Sequence, residues 1–196
     1  MSSNIIENIV KKFAKLPGIG PRASRRIILK LAQDKDKSLA EIVDGLKLLR
    51  DNINKCNICG NIDEGDVCVI CKDPQRDSSM ICVVEEVSDL WAIERVKNFK
   101  GKYHILGGNL SAMSGKTIED LNIEKLITKI KQDSGIKEVI IATSATIDGQ
   151  TTANYLQDVL AEYDIKISRL SFGIPVGSEL DYLDDGTIAV AFKARK

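Results

Sequence analysis

Long apolar runs are missing from this sequence, and histidine and tryptophan occur once each. No stretch approaches the roughly 18 consecutive apolar residues of a membrane-spanning helix, and Met1–Asn4 does not open a secretory signal peptide. We therefore exclude a membrane protein, a secreted disulfide scaffold and a fibrous or low-complexity chain, and we expect a cytoplasmic location. No serine or cysteine with an acid accompanies His104 as a catalytic triad requires, so we expect it, like Trp91, in the core.

Charge is balanced over the whole chain but not along it. The 196 residues carry 28 basic and 28 acidic side chains, and 43% of them are hydrophobic. That is enough to bury the core of one ordinary domain or of two small ones. Residues 1–55 hold 12 of the basic and 6 of the acidic side chains. The N-terminal part is therefore basic and the rest acidic, which predicts an anionic ligand for the N-terminal part.

Four of the five cysteines form two Cys-x2-Cys pairs, Cys56 with Cys59 and Cys68 with Cys71. Each pair can supply two thiolates from one tight turn, as a tetrahedral structural zinc site requires. Two disulfides are the alternative, which a reducing compartment disfavours. We therefore predict one structural Zn²⁺ per chain with no open position for catalysis. The fifth cysteine, Cys82, lies in an apolar run and is predicted to be an inert core residue.

The apolar pattern changes after the cysteines from helices alone to alternating strands and helices. Before them we predict helices over 5–13, from Pro21 onward, and from a capping box that Ser38 opens. After them we predict strands at 80–85, 103–106, 139–143 and 165–170, separated by helices over 88–98, around 123–130 and around 156–163. This alternation predicts an α/β fold with a mainly parallel sheet. The apolar stretch Ile188–Phe192 fits either element type.

A glycine-rich turn, Leu16-Pro17-Gly18-Ile19-Gly20-Pro21-Arg22, joins the first two predicted helices. Its glycines allow a tight turn, and Pro21 starts a helix whose first N–H groups can face an anion. Amides can position a nucleic-acid phosphate there, and guanidinium groups can neutralise it without reading a base. The turn resembles the helix-hairpin-helix DNA-binding motif, with candidate DNA-binding residues Lys15, Gly18, Gly20, Arg22, Arg25 and Arg26. A helical corner with a solvated basic face is the alternative.

Acidic residues follow two of the predicted strands. Glu85, Glu86 and Asp89 stand where strand 80–85 runs into a helix, and Asp148 follows strand 139–143. The C-terminal edge of a parallel sheet is where ligands bind in α/β folds. The first group resembles the first motif of the Toprim fold of primases and type IA topoisomerases.

The second Toprim motif is an Asp-x-Asp pair, and the matching positions here are Ser144 and Thr146. Hydroxyl groups do not replace the converging carboxylates that a Mg²⁺ clamp for phosphoryl transfer needs. We therefore predict a Toprim-like domain that is not an enzyme.

These features occur in one order along the whole chain and end in the segment Gly173-Ile174-Pro175-Val176-Gly177. Together they resemble the bacterial RecR family of recombination mediators. The resemblance implies a DNA-repair protein that works with RecO, and in some organisms RecF, to load the RecA recombinase onto gapped or single-stranded DNA. It also implies ring-like homo-oligomers, from dimer to tetramer, that encircle single- or double-stranded DNA without sequence preference in the bacterial cytoplasm, at the nucleoid.

The resemblance implies a division of the chain into four parts. We expect a helix-hairpin-helix DNA-binding domain at 1–54, a zinc-finger module at 55–78, a Toprim-like domain at 79–172 and a Walker B-like oligomerisation segment at 173–196. The acids of the last segment are expected to be structural or interface residues; they are Glu179, Asp181, Asp184 and Asp185.

Other functions remain open at this point. One is a metal-dependent Toprim nuclease or topoisomerase-like phosphoryl transferase that uses the acids at the sheet edge. Another is a zinc-dependent protein-interaction module without DNA contact. For the acids themselves, namely Glu85, Glu86, Asp89 and Asp148, we predict a docking surface for a basic partner, which the resemblance names as RecO. Their alternative role is to cap the helices that follow them.

Overall fold

Apolar residues at helical spacing produce the helices of the N-terminal part. A computed structural model divides the chain into two units, Met1–Ile53 and Asn54–Lys196. It describes residues 4–111, 113, 115–170, 173–174 and 177–193. The first unit consists of α1 (Asn4–Phe13), α2 (Pro21–Gln33), a π-helical turn (Lys35–Leu39) and α3 (Ala40–Asn52). Helix α2 begins at Pro21 as predicted.

Helices α1 and α2 pack together through a small apolar contact and one buried hydrogen bond. Val10 and Ile28 are buried between them. The hydroxyl of Ser24, fully buried on α2, donates to the carbonyl oxygen of Val10 at 2.6 Å. Helix α3 differs, because it has no buried residue in this unit. Its apolar side chains are exposed, among them Ile42, Val43, Leu46 and Leu49.

The predicted capping box at the start of α3 is wrong. The carboxylate of Asp34, four residues earlier, accepts hydrogen bonds from the backbone N–H and the hydroxyl of Ser38. Because Asp34 caps the chain first, the backbone winds through the wide turn Lys35–Leu39 and enters α3 at Ala40. Ser38 is thus a capped residue within this turn and not the cap.

The second unit contains the alternating elements that the sequence predicts. Its sheet has the strand order β4-β3-β5-β6, and every neighbouring pair is parallel. A two-stranded sheet of β1 and β2 precedes it. The elements in chain order are β1 (Ile53–Lys55), β2 (Ile62–Glu64), α4 (Val69–Lys72), β3 (Asp77–Val84), α5 (Val87–Val96), β4 (Gly101–Ile105), α6 (Ile123–Gln132), β5 (Glu138–Ala142), α7 (Ile147–Leu160), β6 (Lys166–Arg169) and α8 (Asp185–Lys193).

The parallel sheet carries a separate apolar cluster on each face. Helices α6 and α7 cover one face, where Leu126 and Leu156 pack against Ile81 and Val83 of β3. On the other face the cluster contains Cys82, Val84, Leu90, Tyr103 and Ile105, together with three cysteines of the Cys-x2-Cys pairs. Burial on both faces is what parallel strands require. Cys82 is therefore a core residue as predicted, and burial raises its pKa to about 12.

The C-terminal stretch Ile188–Phe192 is helical, as part of α8. Asp184 begins this helix, since its carboxylate accepts the backbone N–H of Thr187 at 2.9 Å. This is the structural role expected for an acid of this segment. Pro175 and Val176 of the glycine-flanked segment lie outside the described residues. No helix in the described ranges is both long enough and apolar enough to cross a membrane.

Trp91 is not in the core, and that prediction is wrong. Its side chain is 59% exposed on α5. The indole N–H donates to the side-chain oxygen of Asn61 at 3.1 Å, and this hydrogen bond holds the ring at the surface. His104 is buried as predicted, and its Nε2 lies 2.8 Å from the carbonyl oxygen of Asn122.

Candidate functional site

Four cysteine sulfurs converge in the second unit. The Sγ atoms of Cys56, Cys59, Cys68 and Cys71 all lie within 4.8 Å of one another. Cys59 and Cys68 are 3.6 Å apart at sulfur, and all five cysteines of the chain are free thiols. A disulfide needs about 2.05 Å, whereas four sulfurs at about 2.3 Å from one tetrahedral zinc lie about 3.8 Å apart. The four thiols fit zinc in number, in chemistry and in spacing.

Backbone N–H groups surround the sulfurs and favour their ionised form. The N–H of Cys68 donates to Cys56 at 3.3 Å, and the N–H groups of Asn61 and Cys71 donate to Cys59 and Cys68 at 3.4 Å each. The hydrogen bond with Cys71, followed by burial, raises the pKa of Cys59. Ionising all four thiols at this spacing requires a cation, which a bound Zn²⁺ supplies.

The cysteine module is tied to the sheet by polar contacts that no motif predicts. Lys102 of β4 donates from Nζ to the carbonyl oxygens of Ile70, Cys71 and Asp73, at 2.8 to 3.1 Å. The N–H of Ile105 donates to the carbonyl oxygen of Cys59 at 2.8 Å. The sequence contains one indication of these contacts, a single lysine between the buried residues of β4. A half-buried ammonium group needs hydrogen-bond acceptors, which the carbonyl oxygens of the module supply.

The predicted hairpin between α1 and α2 is present, and it leaves amides unpaired. Gly18 has a φ of +75°, which favours glycine. Gly20 caps α2 without a side-chain hydrogen bond. In the described part of the chain, the N–H groups of Arg22 and Ala23 have no backbone acceptor, whereas Ser24 bonds Gly20 at 2.9 Å. Two amides at the start of α2 are therefore free to bind an anion.

The basic residues of the hairpin differ in their partners. Arg25 is 3.3 Å from the carboxylate of Glu7 on α1. Lys15, Arg22 and Arg26 are exposed, and none of them has a carboxylate within ion-pairing distance among the described residues. Arg22 and Arg26 are one helical turn apart and share a face of α2. The unneutralised charge at the hairpin thus comes from Lys15, Arg22 and Arg26, while Arg25 links the two helices.

At the C-terminal edge of the sheet, Glu85 is buried and both of its carboxylate oxygens accept hydrogen bonds. One carboxylate oxygen accepts from the backbone N–H and the hydroxyl of Ser144, at 2.7 and 2.9 Å. The other accepts from the side-chain amide of Asn109 at 3.0 Å. The Ser144 hydroxyl also lies 2.7 Å from that of Thr146, which caps α7. The edge is a closed hydrogen-bond network centred on one carboxylate.

Of two further acids at this edge, Asp89 caps a helix and Asp148 is half-buried. Asp89 accepts the backbone N–H of Glu86 at 2.8 Å, so it caps α5, which is the alternative role stated for these acids. Asp148 is half-buried in the first turn of α7 beside Ile147, which is 85% exposed. The next residue, Gly149, must be glycine, because a Cβ there would collide with the backbone oxygen of Ser144 and with Glu85.

Comparisons with known proteins agree with this geometry. A family model described as Toprim domain matches residues 79–171, so the second unit contains a Toprim domain. Two models of the RecR family also match, one for its four-cysteine zinc finger domain at residues 53–73 and one for its C-terminal part at residues 173–196.

The Recombination protein RecR of Rhizorhabdus wittichii is 48% identical over 196 residues, which cover 100% of this chain and 98% of that protein. That of Orientia tsutsugamushi strain Boryong is 50% identical over 195 residues, 99% of this chain and 96% of that protein. That of Erythrobacter litoralis is 46% identical over 196 residues, again 100% and 98%. The chain belongs to the RecR family, and its cysteine cluster is the four-cysteine zinc site of that family.

We expect the substitution Cys59→Ser to remove the zinc and to unfold residues 55–72, because the binding energy of the metal is folding energy in a module of this size. Elemental analysis should find one zinc per chain in the parent protein and well below one in the variant. Cys82→Ala is the matched control, since Cys82 packs in the same apolar cluster but is not one of the four converging thiols, and the zinc content should stay unchanged. A folded Cys59→Ser protein that retains its zinc contradicts the assignment.

Proposed function

We propose that this chain is a non-enzymatic recombination mediator in DNA repair that binds single- and double-stranded DNA without sequence preference. Its full-length relatives are named Recombination protein RecR, which supports the recombination role. We place it in the bacterial cytoplasm, at the nucleoid when it is bound to DNA. The proposed cellular task is to work with RecO, and in some organisms RecF, in loading RecA onto gapped or single-stranded DNA.

The proposal of DNA binding rests on the N-terminal end of α2, where positive charge and backbone N–H groups have no partner among the described residues. Arg22 and Arg26 have no carboxylate partner in the described chain, and the first amides of α2 are unpaired. Gly20 adds to this, because a Cβ there would meet no atom within 4 Å and its φ of −80° is ordinary. Nothing inside the described chain requires glycine at this position. A bare backbone instead leaves room for a phosphate to approach the amides.

Hydrogen bonding at the sheet edge supports a role without phosphoryl transfer. Both oxygens of Glu85 already accept hydrogen bonds from Ser144 and Asn109. Ser144 and Thr146 offer hydroxyl groups where an Mg²⁺ clamp needs carboxylates. The Toprim domain is therefore proposed to serve as a scaffold for partners.

Replacing Arg22 and Arg26 together by Ala should weaken binding to every DNA sequence alike. The dependence of log K on log salt should flatten by about one unit for each phosphate that the variant no longer neutralises. The matched control is Lys47→Ala with Arg50→Ala, two charges of the same unit that already pair with Asp44 and Asp51.

Fluorescence anisotropy at several salt concentrations measures both effects. If the double variant at Arg22 and Arg26 binds DNA as tightly as the parent, a zinc-dependent protein-interaction module is the better interpretation.

Supercoiled DNA incubated with the parent protein and Mg²⁺ should stay intact. Metal-dependent nicking would instead favour the enzyme.

Partner docking is proposed at the exposed start of α7, where Asp148 lies beside Ile147. An acid next to an apolar side chain suits a basic partner with an apolar anchor, and the charge steers the encounter. Glu85 is too buried to contact a partner, and Glu86 and Asp89 take part in the cap of α5.

Asp148→Lys should abolish RecO binding while DNA affinity and zinc content stay unchanged. Asp158→Lys reverses the charge of an exposed acid on the same helix and serves as the control. A calorimetric titration with RecO measures the difference. If the only role of Asp148 is its favourable interaction with the dipole of α7, reversing its charge should lower the free energy of unfolding by about 0.3–1 kcal/mol and leave the affinity for RecO unchanged.

Self-association into closed dimers or tetramers is proposed from the exposed face of α3. Ile42, Leu46 and Leu49 lie on this helix at helical spacing and are 43 to 59% exposed. Clustered apolar residues of this kind mark interaction surfaces, and homo-oligomers usually close with even symmetry.

Light scattering should give at least the mass of a dimer for the parent protein, and Leu46→Lys should lower this mass. A monomeric mass at high protein concentration, with DNA present, counts against a ring that encircles DNA.

A further inference from the structure

The only tryptophan of the chain lies at the surface of the second unit. Trp91, in the second turn of α5, is 59% exposed, although tryptophan is on average one of the more buried residues. An indole that is more than half exposed presents at least one broad face of its ring to solvent. In the described part of the chain no other aromatic ring and no cation stacks on this indole. The ring face of Trp91 is therefore open to a ligand.

The cysteine module holds the ring in this position. The indole N–H donates to the side-chain oxygen of Asn61, a residue that is only 4% exposed. The backbone of Asn61 is fixed in turn, because its N–H donates to Sγ of Cys59 at 3.4 Å and its carbonyl oxygen accepts the N–H of Cys56 at 2.7 Å. The one polar group of the indole is thus satisfied inside the protein, and the apolar ring face is what a ligand can contact. A ring that is already ordered loses little conformational entropy when a ligand stacks on it.

The unpaired charge of α5 beside this ring is positive. Arg95 follows Trp91 by one helical turn and so shares its face of the helix. It is exposed, and among the described residues no carboxylate lies within ion-pairing distance of it. The acids of the same helix are engaged internally, since Glu94 pairs with an arginine of the preceding loop and Glu86 and Asp89 form the capping box of α5. A cation beside an open ring face suits a nucleic acid, in which a phosphate accompanies every base.

A protein partner is the other ligand that can cover an exposed tryptophan, and two observations favour a nucleic acid. At protein interfaces the polar N–H of a buried tryptophan needs a hydrogen-bond partner, and here Asn61 has already taken it. Full-length relatives of the chain are named recombination proteins, and recombination acts on DNA. The open ring face and the charge of Arg95 thus match the two parts of a nucleotide, its base and its phosphate.

We propose that Trp91 and Arg95 form a binding site for single-stranded DNA, in which an unpaired base stacks on the indole and Arg95 neutralises an adjoining phosphate. Stacking tolerates any base, because every base has a π face. The bases of a duplex are paired and stacked on one another, so only its phosphates can reach α5. The site therefore favours single strands, whereas the amides and guanidinium groups of the hairpin contact the phosphates of either form. The inference rests on the proposed DNA-binding role, but not on the hairpin as the place of binding.

Tryptophan fluorescence reports on this site without a label, because Trp91 is the only tryptophan. The zinc-loaded full-length chain is titrated with a single strand of thymidylates, with a duplex of the same length, and with a single strand that has the same phosphates but no bases. The thymidylate strand should quench the fluorescence in a saturable way, because a stacked base is in direct contact with the indole. The duplex and the abasic strand should leave the fluorescence unchanged at concentrations at which anisotropy shows that they are bound.

Variants of α5 separate stacking from charge. Trp91→Ala should lower the affinity for the single strand by about five- to 150-fold, the loss of one stacked base, and leave the affinity for the duplex unchanged. Trp91→Phe retains a ring but not the N–H that Asn61 holds, so its affinity should lie between those of Trp91→Ala and the parent. Arg95→Gln should flatten the salt dependence of single-strand binding by about 0.7 units. Val96→Ala is the matched control, since Val96 is 61% exposed on another face of the same helix.

The outcomes also separate this site from the hairpin. Quenching by the thymidylate strand that persists in the double variant Arg22→Ala, Arg26→Ala supports the site at α5 even if DNA does not bind at the hairpin. Unchanged fluorescence while anisotropy shows the single strand bound overturns the site at α5 and leaves the hairpin as the DNA site. Equal quenching by the thymidylate and abasic strands overturns base stacking. Quenching by RecO but not by DNA assigns the exposed ring to a protein partner.

Discussion

Strand β3 is buried on both of its faces, and the rest of the second unit is arranged around that constraint. Ile81 and Val83 face the cluster of α6 and α7, while Cys82 and Val84 face the cluster that contains the zinc ligands. A parallel sheet needs both faces covered, and here α5 and a cysteine module of about twenty residues share one of them. Such a segment is too short to bury a core of its own. We therefore expect zinc binding to stabilise the sheet as well as the module.

The same strand fixes the chemistry of the sheet edge. Val84 is in register with Ile105 of β4 and Ala142 of β5, so Glu85 leaves β3 next to the loop that follows β5. There its carboxylate meets the amide and hydroxyl of Ser144. These neutral donors, together with the side-chain amide of Asn109, stabilise the buried carboxylate. At the same edge α7 begins with the exposed Ile147 and the half-buried Asp148, the residues at which partner docking is proposed.

The features that the sequence could predict are those set by local pattern. Cysteine spacing predicted the zinc ligands, Pro21 the start of α2, and apolar alternation the four parallel strands. Two predictions were wrong, the burial of Trp91 and the capping role of Ser38. In each case the position depends on a hydrogen bond with a residue outside the pattern, either distant in sequence or a competing neighbour. Trp91 lies on the surface because Asn61 accepts its N–H, and Asp34 takes the capping role expected of Ser38. Neither Asn61 nor Asp34 belongs to a recognised motif, so the sequence pattern could not show that these hydrogen bonds would form.

Net charge was a partial guide for the same reason. Residues 56–196 are acidic overall, and the sequence accordingly predicts a docking role for their acids. Yet Lys55 and Lys125 line a pocket beside the first cysteine pair, and Lys129 lines the adjoining groove, with no carboxylate within ion-pairing distance among the described residues. Charges are screened over about 8–10 Å at physiological salt, so a ligand responds to the groups that line its site and not to the sum over a unit. Local potential, which depends on the fold, decides where each ligand binds.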